Sequence, residues 1–284
     1  MADKPQAKAK FRSGRPDFAS LLGIVVAIGA LLGGLIMDGG KVSDVTQVTA
    51  AIIVLGGTLG AVMITSPISS LIAAAAGLKK VFFEDVINSA AAIDEIVTYA
   101  TKARKSSLIS LEEDLEKIDD PFLKKALTLA VDGTDLQELH KMLELDLVQA
   151  EKQGEAQAKV FEAAGGYAPT IGIIGAVMGL IQVMKHLENI EEVGKGIAIA
   201  FVATVYGVAS ANLFFLPAAN KLKSRTQKDV QLKELLLEGV GSILEGMNPK
   251  LIRVKLEAFV HGKPKPAKAA DQKAGAAAPA EARG

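Results

Sequence analysis

Two uncharged apolar runs near the middle of the chain restrict its possible folds more than any other feature. Residues 168–184 and 196–216 contain no Asp, Glu, Lys or Arg. A helix needs about 20 apolar residues to cross a bilayer, with roughly 17 as the lower limit, and both runs reach that length. A short charged link, 185–195, separates them. The two runs are therefore predicted to form a transmembrane helical hairpin.

Two further uncharged runs, 18–37 and 45–64, precede this hairpin. A basic N-terminus before an apolar run is also typical of a signal peptide. The first run is longer than the apolar part of a signal peptide, which has about 7–15 residues, and no clear cleavage site follows it. We therefore expect a retained helix, paired with the second run. Pro67 lies just beyond the second run, where it can stop the helix.

The predicted fold class is an all-α integral membrane protein with four transmembrane helices. Outside the four runs, charged residues return at helical spacing, which predicts a helical insertion between helices 2 and 3 and a helical C-terminal segment. The last residues are rich in Pro, Ala and Lys, which predicts disorder. The expected divisions are a basic N-terminus (1–17), a first hairpin (18–66), the insertion (67–165), a second hairpin (166–217), C-terminal helices (218–261) and a disordered tail (262–284).

Local signals in the insertion predict where its helices start. Val86 and Ile93 fall near one helical face, so the segment 84–105 is predicted to be an amphipathic helix. Asp120 stands before a proline and is a plausible N-cap. A long amphipathic helix is then predicted to begin at Thr134 or Asp135.

Basic residues predict the orientation of the chain in the membrane. They are concentrated in the N-terminus, after the second run and after the fourth, whereas the two links on the other side carry no basic excess. The positive-inside rule then places both termini and the insertion in the cytoplasm.

Several functional classes lack their characteristic residues. The chain has no cysteine and three histidines, and it carries no P-loop, nucleophile elbow or zinc motif. We expect that the chain is not an enzyme and that it has no cofactor, no metal site and no nucleic-acid partner. The four apolar runs also contain no ionisable residue, although an ion pathway usually needs a carboxylate at membrane depth. The chain alone is therefore not a complete ion carrier, and a scaffold without ion flux is an alternative.

Some residues in the spans have both an ordinary and a functional interpretation. Pro169 is either a proline in the first turn of span three or a functional residue, and Pro217 is either a helix terminator or a functional residue. The Thr204 hydroxyl either bonds to the carbonyl four residues earlier or serves the ion path. Small residues recur at i, i+4 in every span and predict close helix packing in a bundle or oligomer. They are Gly29/Gly33, Gly56/Gly60, Gly175/Gly179 and Ala203/Gly207/Ala211.

Three segments in this order resemble the MotA/PomA stator family of the MotA/TolQ/ExbB superfamily. They are VDG, APTIGIIGAVMGL and ATVYG, and the similarity covers about residues 18–260. The resemblance implies a bacterial inner-membrane protein in which five copies surround two copies of a MotB-like (PomB-like) partner. That partner would carry the membrane aspartate, and the insertion would push the rotor protein FliG.

The resemblance also assigns roles to individual residues. The family's rotor-contact charges fall on Arg104, Lys105 and Glu112, although a solvated helical face is the ordinary interpretation of such charges. Its two important prolines fall on Pro169 and Pro217, and its span-four threonine falls on Thr204.

Three departures from the family pattern concern the choice of ion. Ala176 stands where the sodium-type PomA subunit has a threonine, and Gly166 stands where it has an acidic residue. Ala203-Thr204 stands where that subunit has a pair of threonines. We therefore expect proton drive. A sodium-driven PomA-type stator and an ExbB/TolQ-like energiser of outer-membrane processes are the alternatives.

Overall fold

Four helical stretches are long and apolar enough to cross a membrane in the computed structural model, which describes residues 12–261. This confirms the predicted class, a largely helical protein with four candidate spans. Most of the predicted basic N-terminus and the predicted disordered tail, 262–284, lie outside the described residues. Span one is helix α1, Phe18–Met37. Asp17 caps its start by accepting a hydrogen bond from the Ser20 amide at 3.1 Å.

Span two is interrupted by a wider helical turn. It consists of α2 (Val48–Ala51), a π-helical turn (Ile52–Gly56) and α3 (Gly57–Thr65). Pro67 then separates it from α4 (Ile68–Phe82), as its position in the sequence suggests. A π-helical turn changes which residues face the neighbouring helices, and such turns are frequent at functional sites.

The described residues also form a small antiparallel sheet that the helical pattern did not predict. Strand β1 (Arg12–Pro16) pairs with β2 (Phe83–Ile87), with Pro16 opposite Phe83. Val86 is therefore in a strand, and its predicted place in a helix was wrong. The helix begins later because the Asn88 side chain accepts a hydrogen bond from the Ala91 amide and caps it there.

After α4 and the strand β2, the insertion continues with three further helices before α8. The Asp120 carboxylate accepts hydrogen bonds from the Phe122 and Leu123 amides, which confirms it as an N-cap. Gly133 has φ +82°, a conformation that favours glycine, directly after the last of these helices. The elements are α5 (Ser89–Ser106), a 3₁₀ turn (Leu108–Leu111), α6 (Glu112–Leu115) and α7 (Pro121–Val131).

Helix α8 (Leu136–Lys185) has 50 residues and carries the chain from the insertion into span three without a break. At about 1.5 Å per residue it is about 75 Å long. Asp135 caps it by accepting hydrogen bonds from two amides, so Asp135 rather than Thr134 is the cap. Span four is α9 (Ile190–Ser210) followed by a second π-helical turn (Ala211–Phe215).

The chain continues from span four into the C-terminal segment as one helical rod. Helix α10 (Leu216–Leu244) follows the π-helical turn directly, and α11 (Pro249–His261) comes after it. The expected domain divisions at 165/166 and 217/218 therefore fall inside continuous helical segments.

Three clusters of buried apolar residues hold these elements together. The largest joins α5, α7, the start of α8, the end of α10 and α11, with Ile96, Leu123 and Leu236 fully buried. A second lies where α4, α8 and α10 meet. The third, in the membrane, joins spans two and four through Val54 and Ala203. Spans three and four are thus anchored to a packed core outside the membrane.

Candidate functional site

Spans three and four are in direct backbone contact along a row of small residues. A Cβ atom built on Gly207 would lie 2.5 Å from the Ala168 carbonyl oxygen, and one built on Gly179 would lie 2.8 Å from the Ala200 nitrogen. Cβ atoms do not approach backbone atoms so closely without a shift. Both positions therefore need glycine for this helix pair to pack as it does.

The paired glycines of spans one and two make no such contact within the chain. Nothing lies within 4 Å of the position that a Cβ atom would take on Gly29, Gly33, Gly56 or Gly60. Close packing is therefore seen for spans three and four, whereas oligomer contacts through spans one and two stay a prediction.

Thr204 and Ala176 lie beside this row of small residues. A Cβ atom built on Gly175 would lie 2.8 Å from the Ala203 Cβ, so the neighbouring residues Ala176 and Thr204 flank one contact point, and both are half-buried. The Thr204 hydroxyl donates to the Ala200 carbonyl oxygen at 3.2 Å. This is the ordinary interpretation of a membrane threonine, and it leaves the oxygen lone pairs available to accept from a water or bind a cation.

Pro169 lies well inside helix α8, so its expected place in a first turn was wrong. The helix starts at Leu136 because Asp135 caps it there. Proline has no amide hydrogen, so the Gly165 carbonyl loses its usual helical donor. Gly165 also packs against span four, since a Cβ atom built on it would lie 2.6 Å from the Leu216 Cδ2.

Pro217 does not end its helix either, which corrects its interpretation as a terminator. It occupies the first turn of α10, directly after the π-helical turn, and α10 continues to Leu244. The contact between Gly165 and Leu216 joins the two proline segments. The Pro169 segment of α8 and the segment after the π-helical turn of span four therefore meet at the ends of the two apolar runs, and π-helical turns are frequent at functional sites.

The predicted rotor-contact charges lie on a helical hairpin of the insertion. Arg104 and Lys105 are in the last turn of α5, Glu112 begins α6, and all three side chains are exposed. The chain reverses between them at Ser107, which has φ +79°. We name the segment 102–117 the charged hairpin.

An ion pair and a buried leucine close the charged hairpin. The Lys102 Nζ lies 2.7 Å from the Asp114 Oδ2, and Leu111 is fully buried beneath the turn. The hydrogen bond from Lys102 lowers the pKa of Asp114 below its usual value, so this carboxylate stays charged. The hairpin thus presents both signs of charge to solvent on a fixed backbone.

Comparison with known proteins identifies the family. Residues 21–107 match the family described as Motility protein A N-terminal, and residues 114–235 match the MotA/TolQ/ExbB proton channel family. Motility protein A of Bacillus subtilis is 37% identical over 251 residues, covering 87% of this chain and 92% of the relative. The chain belongs to the MotA branch of the MotA/TolQ/ExbB family.

Solved structures of MotA relatives support the same assignment. The C. jejuni MotAB structure aligns with TM-score 0.82 and 32% identity, covering 87% of this chain and 98% of that chain. The Bacillus subtilis flagellar MotAB stator complex aligns with TM-score 0.80 and 35% identity over 86% and 96% of the two chains. Chemotaxis protein PomA of Vibrio alginolyticus is 29% identical over 245 residues.

Two polar groups of this MotA-family chain were not singled out in the sequence. The Tyr206 hydroxyl donates to the Val45 carbonyl oxygen at 2.7 Å and accepts from the Gln47 amide at 3.3 Å. It therefore ties span four to the start of span two, and its place in the ATVYG segment was the available signal. Thr58 in span two is 2% exposed, and its hydroxyl has no hydrogen-bond partner among the residues that the structure describes. No sequence pattern points to it.

Proposed function

We propose that the chain is the stator subunit that, with a MotB-like partner, forms a proton channel and turns ion flow into torque on a flagellar rotor. The observation that carries this proposal is the glycine-packed pair of spans three and four with Thr204 beside their contact line. Such a pair offers a hydroxyl and backbone oxygens at membrane depth but no carboxylate. A partner helix has to supply the group that binds and releases the proton.

The identity of the relatives supports a MotB-like partner. Both solved structures that align with the chain are described as MotAB, and one of them as a flagellar stator complex. The relevant complex is a ring of five copies around two partner copies in the bacterial inner membrane, with both termini and the insertion in the cytoplasm. The match to the Motility protein A N-terminal family over 21–107 favours this function over an ExbB/TolQ-like energiser.

The residues have distinct roles in this proposal. Thr204 and Ala176 flank the ion path, where a methyl group at Ala176 leaves space for water but offers no oxygen to sodium. Sodium, like other hard cations, needs several oxygen ligands, whereas a proton needs only the partner's carboxylate and a chain of water. Pro169 lies inside α8 and Pro217 in the first turn of α10, after a π-helical turn, and we assign both a role in passing a change at membrane depth along these helices to the insertion.

A swimming assay tests proton drive. Cells whose only stator contains this chain are suspended in sodium-free potassium buffer with the proton-motive force intact. We expect swimming to persist there and to stop when a protonophore is added. Swimming that stops without sodium and returns with it would overturn proton drive and leave the sodium alternative, while the stator function itself would stand.

Charge reversal tests the rotor contact. The charged hairpin would act on FliG through Arg104, Lys105 and Glu112. The Arg104→Glu and Glu112→Lys variants should each weaken motility while complex formation is kept, because changes of exposed charge seldom alter stability by more than about 0.5 kcal/mol. Lys152→Glu, an exposed charge on α8 away from the charged hairpin, is the control and should swim normally. Normal swimming of the Arg104→Glu/Glu112→Lys double variant at low expression would contradict the contact.

A further inference from the structure

A cleft opens between the start of span one and the end of span four. Its volume is about 310 Å³, and it is lined mainly by apolar side chains and small residues. Span one packs loosely there, since nothing lies within 4 Å of the position that a Cβ atom would take on Gly23. Its lining includes Gly23, Ile24 and Ala27 of span one, Phe214 of span four, and Pro217 and Lys221 of α10.

Charged residues mark the end of this cleft that faces the insertion. Asp17, which caps span one, is 5% exposed and forms ion pairs with both Lys221 and Arg225. Lys221 lines the cleft and keeps 33% of its side chain exposed, with its Nζ 2.5 Å from the Asp17 Oδ2. One carboxylate thus faces two cations, and the cluster carries a net charge of +1.

The donor groups of this cluster are not all used. The Arg225 guanidinium contacts Asp17 and the Phe83 carbonyl oxygen and lies in the wall of a neighbouring pocket, so it adds positive charge rather than a donor within the cleft. The Lys221 ammonium has three N–H groups, and Asp17 is its one ion-pair partner in the described part of the chain. Positive charge and spare donors at the end of an apolar cleft suit a ligand with a negative head and an apolar tail.

We propose that this cleft binds one acyl chain of an anionic phospholipid from the leaflet on the insertion side, with the lipid phosphate at Lys221. The apolar lining disfavours water, because buried water needs two to four polar partners. The apolar lining suits part of an acyl chain, and the basic side chain extends from the apolar wall toward the headgroups.

The bound lipid would contact a residue of the ion-coupling machinery. Pro217 lines the cleft and follows the π-helical turn of span four. A lipid there would pack against the irregular segment where span four leaves the membrane. The binding site goes beyond the proposed function and does not depend on it.

Photo-labelling tests the site in the full chain complexed with its partner. The complex is reconstituted in phosphatidylcholine vesicles with a small amount of phosphatidylglycerol that carries a diazirine in one acyl chain. We expect labelled peptides around Ile24 and Phe214. Unlabelled phosphatidylglycerol should compete, whereas inorganic phosphate and added phosphatidylcholine should not.

Two pairs of variants separate the acyl site from the headgroup site. Gly23→Leu should fill the cleft and remove most of the labelling, whereas Gly33→Leu, in equally open space on span one, should not. Lys221→Gln should lower the preference for phosphatidylglycerol over phosphatidylcholine about fivefold. Lys223→Gln, which removes an ion pair with Glu162, is the matched control and should keep the preference.

Several outcomes would overturn the lipid site. One is that Gly23→Leu is labelled as strongly as the wild type. Another is that inorganic phosphate alone competes with the labelled lipid. Efficient disulfide formation between Ala27→Cys and a cysteine on a second copy, in a complex without lipid labelling, would assign the cleft to a neighbouring subunit. If Gly23→Leu fails to assemble, the competition measurements on the wild type decide the question.

Discussion

Thr204 shows how much at the residue scale depends on the direction of one hydroxyl. Its hydrogen bond to the Ala200 carbonyl satisfies its donor inside the membrane, so its presence in an apolar helix has a structural explanation. The same bond points the oxygen lone pairs away from its own helix backbone. A functional role therefore rests on the accepting side of the hydroxyl, which valine cannot replace.

We predict that Thr204→Val abolishes motility while the complex still assembles. Loss of the hydroxyl costs about 1 kcal/mol of stability at most, because both bonding groups belong to one helix. Thr204→Ser should keep part of the motility. Thr65→Val is the matched control, since the Thr65 hydroxyl also donates to carbonyls of its own helix, at 3.2 Å, and it should swim. Swimming is measured alongside purification of the complex, and full motility of Thr204→Val would remove Thr204 from the ion path.

Asp17 gives a prediction on pH. Burial alone would raise its pKa, but hydrogen bonds from Lys221 and the Ser20 amide, with the charges of Lys221 and Arg225, lower the pKa to about 2. Because the folded pKa lies below the usual value of 3.8, this stabilisation is present above pH 4 and is lost as the pH falls toward 2.

The measurement is the unfolding temperature of the purified protein between pH 6 and pH 2. The difference between the wild type and Asp17→Asn should be constant above about pH 4 and should shrink below it, from about 2 kcal/mol at most. Asp132→Asn, which changes an exposed carboxylate, should follow the wild type throughout. A difference that persists unchanged down to pH 2 would mean that the Asp17 charge contributes no stability.

At the scale of elements, the apolar runs and capping residues predicted much of the helical framework. Span one begins and ends at the limits of its uncharged run, and Asp120 and Asp135 cap the helices that follow them. These are local features, which a sequence carries directly. The small sheet was missed because strand pairing between β1 and β2 joins residues about 70 positions apart.

The irregular turns and the continuity of the long helices were also beyond local reasoning. Pro169 and Pro217 usually suggest a helix end, yet packing against neighbouring helices keeps both segments helical. The candidate site could therefore be predicted from the sequence only in part. Thr204 and the glycines of spans three and four were identifiable, whereas the contact of the two proline segments depends on tertiary packing.

The glycine contacts between spans three and four predict opposite effects for two similar substitutions. Gly207→Ala places a methyl group against the Ala168 carbonyl and should destabilise the protein by about 1–3 kcal/mol. Gly60→Ala adds the same group in open space, and the better helix propensity should leave stability equal or raised by up to about 1 kcal/mol. The unfolding temperatures of the two variants and the wild type are measured in the same detergent. Equal unfolding temperatures would show that spans three and four are not in backbone contact.

At the scale of the whole molecule, long helices join the membrane to the insertion. Helix α8 leads from the insertion core into span three, and the helical rod of span four and α10 returns to the same core. Continuous helical segments thus join spans three and four to the core on which the charged hairpin is built. This continuity supports the proposed coupling between an event at membrane depth and the charged hairpin.

The orientation of the molecule gives the last prediction, and the chain suits its test because it has no cysteine. Ser107 lies in the charged hairpin and Ser43 in the link between spans one and two, and both side chains are exposed. The excess of basic residues around the insertion predicts that Ser107 lies in the cytoplasm and Ser43 outside it. In intact cells a membrane-impermeant thiol reagent should label Ser43→Cys and leave Ser107→Cys unlabelled. Both should react after the membrane is permeabilised, which shows that each thiol is accessible. The reverse pattern in intact cells would place the charged hairpin outside the cytoplasm, where a cytoplasmic rotor protein could not reach it.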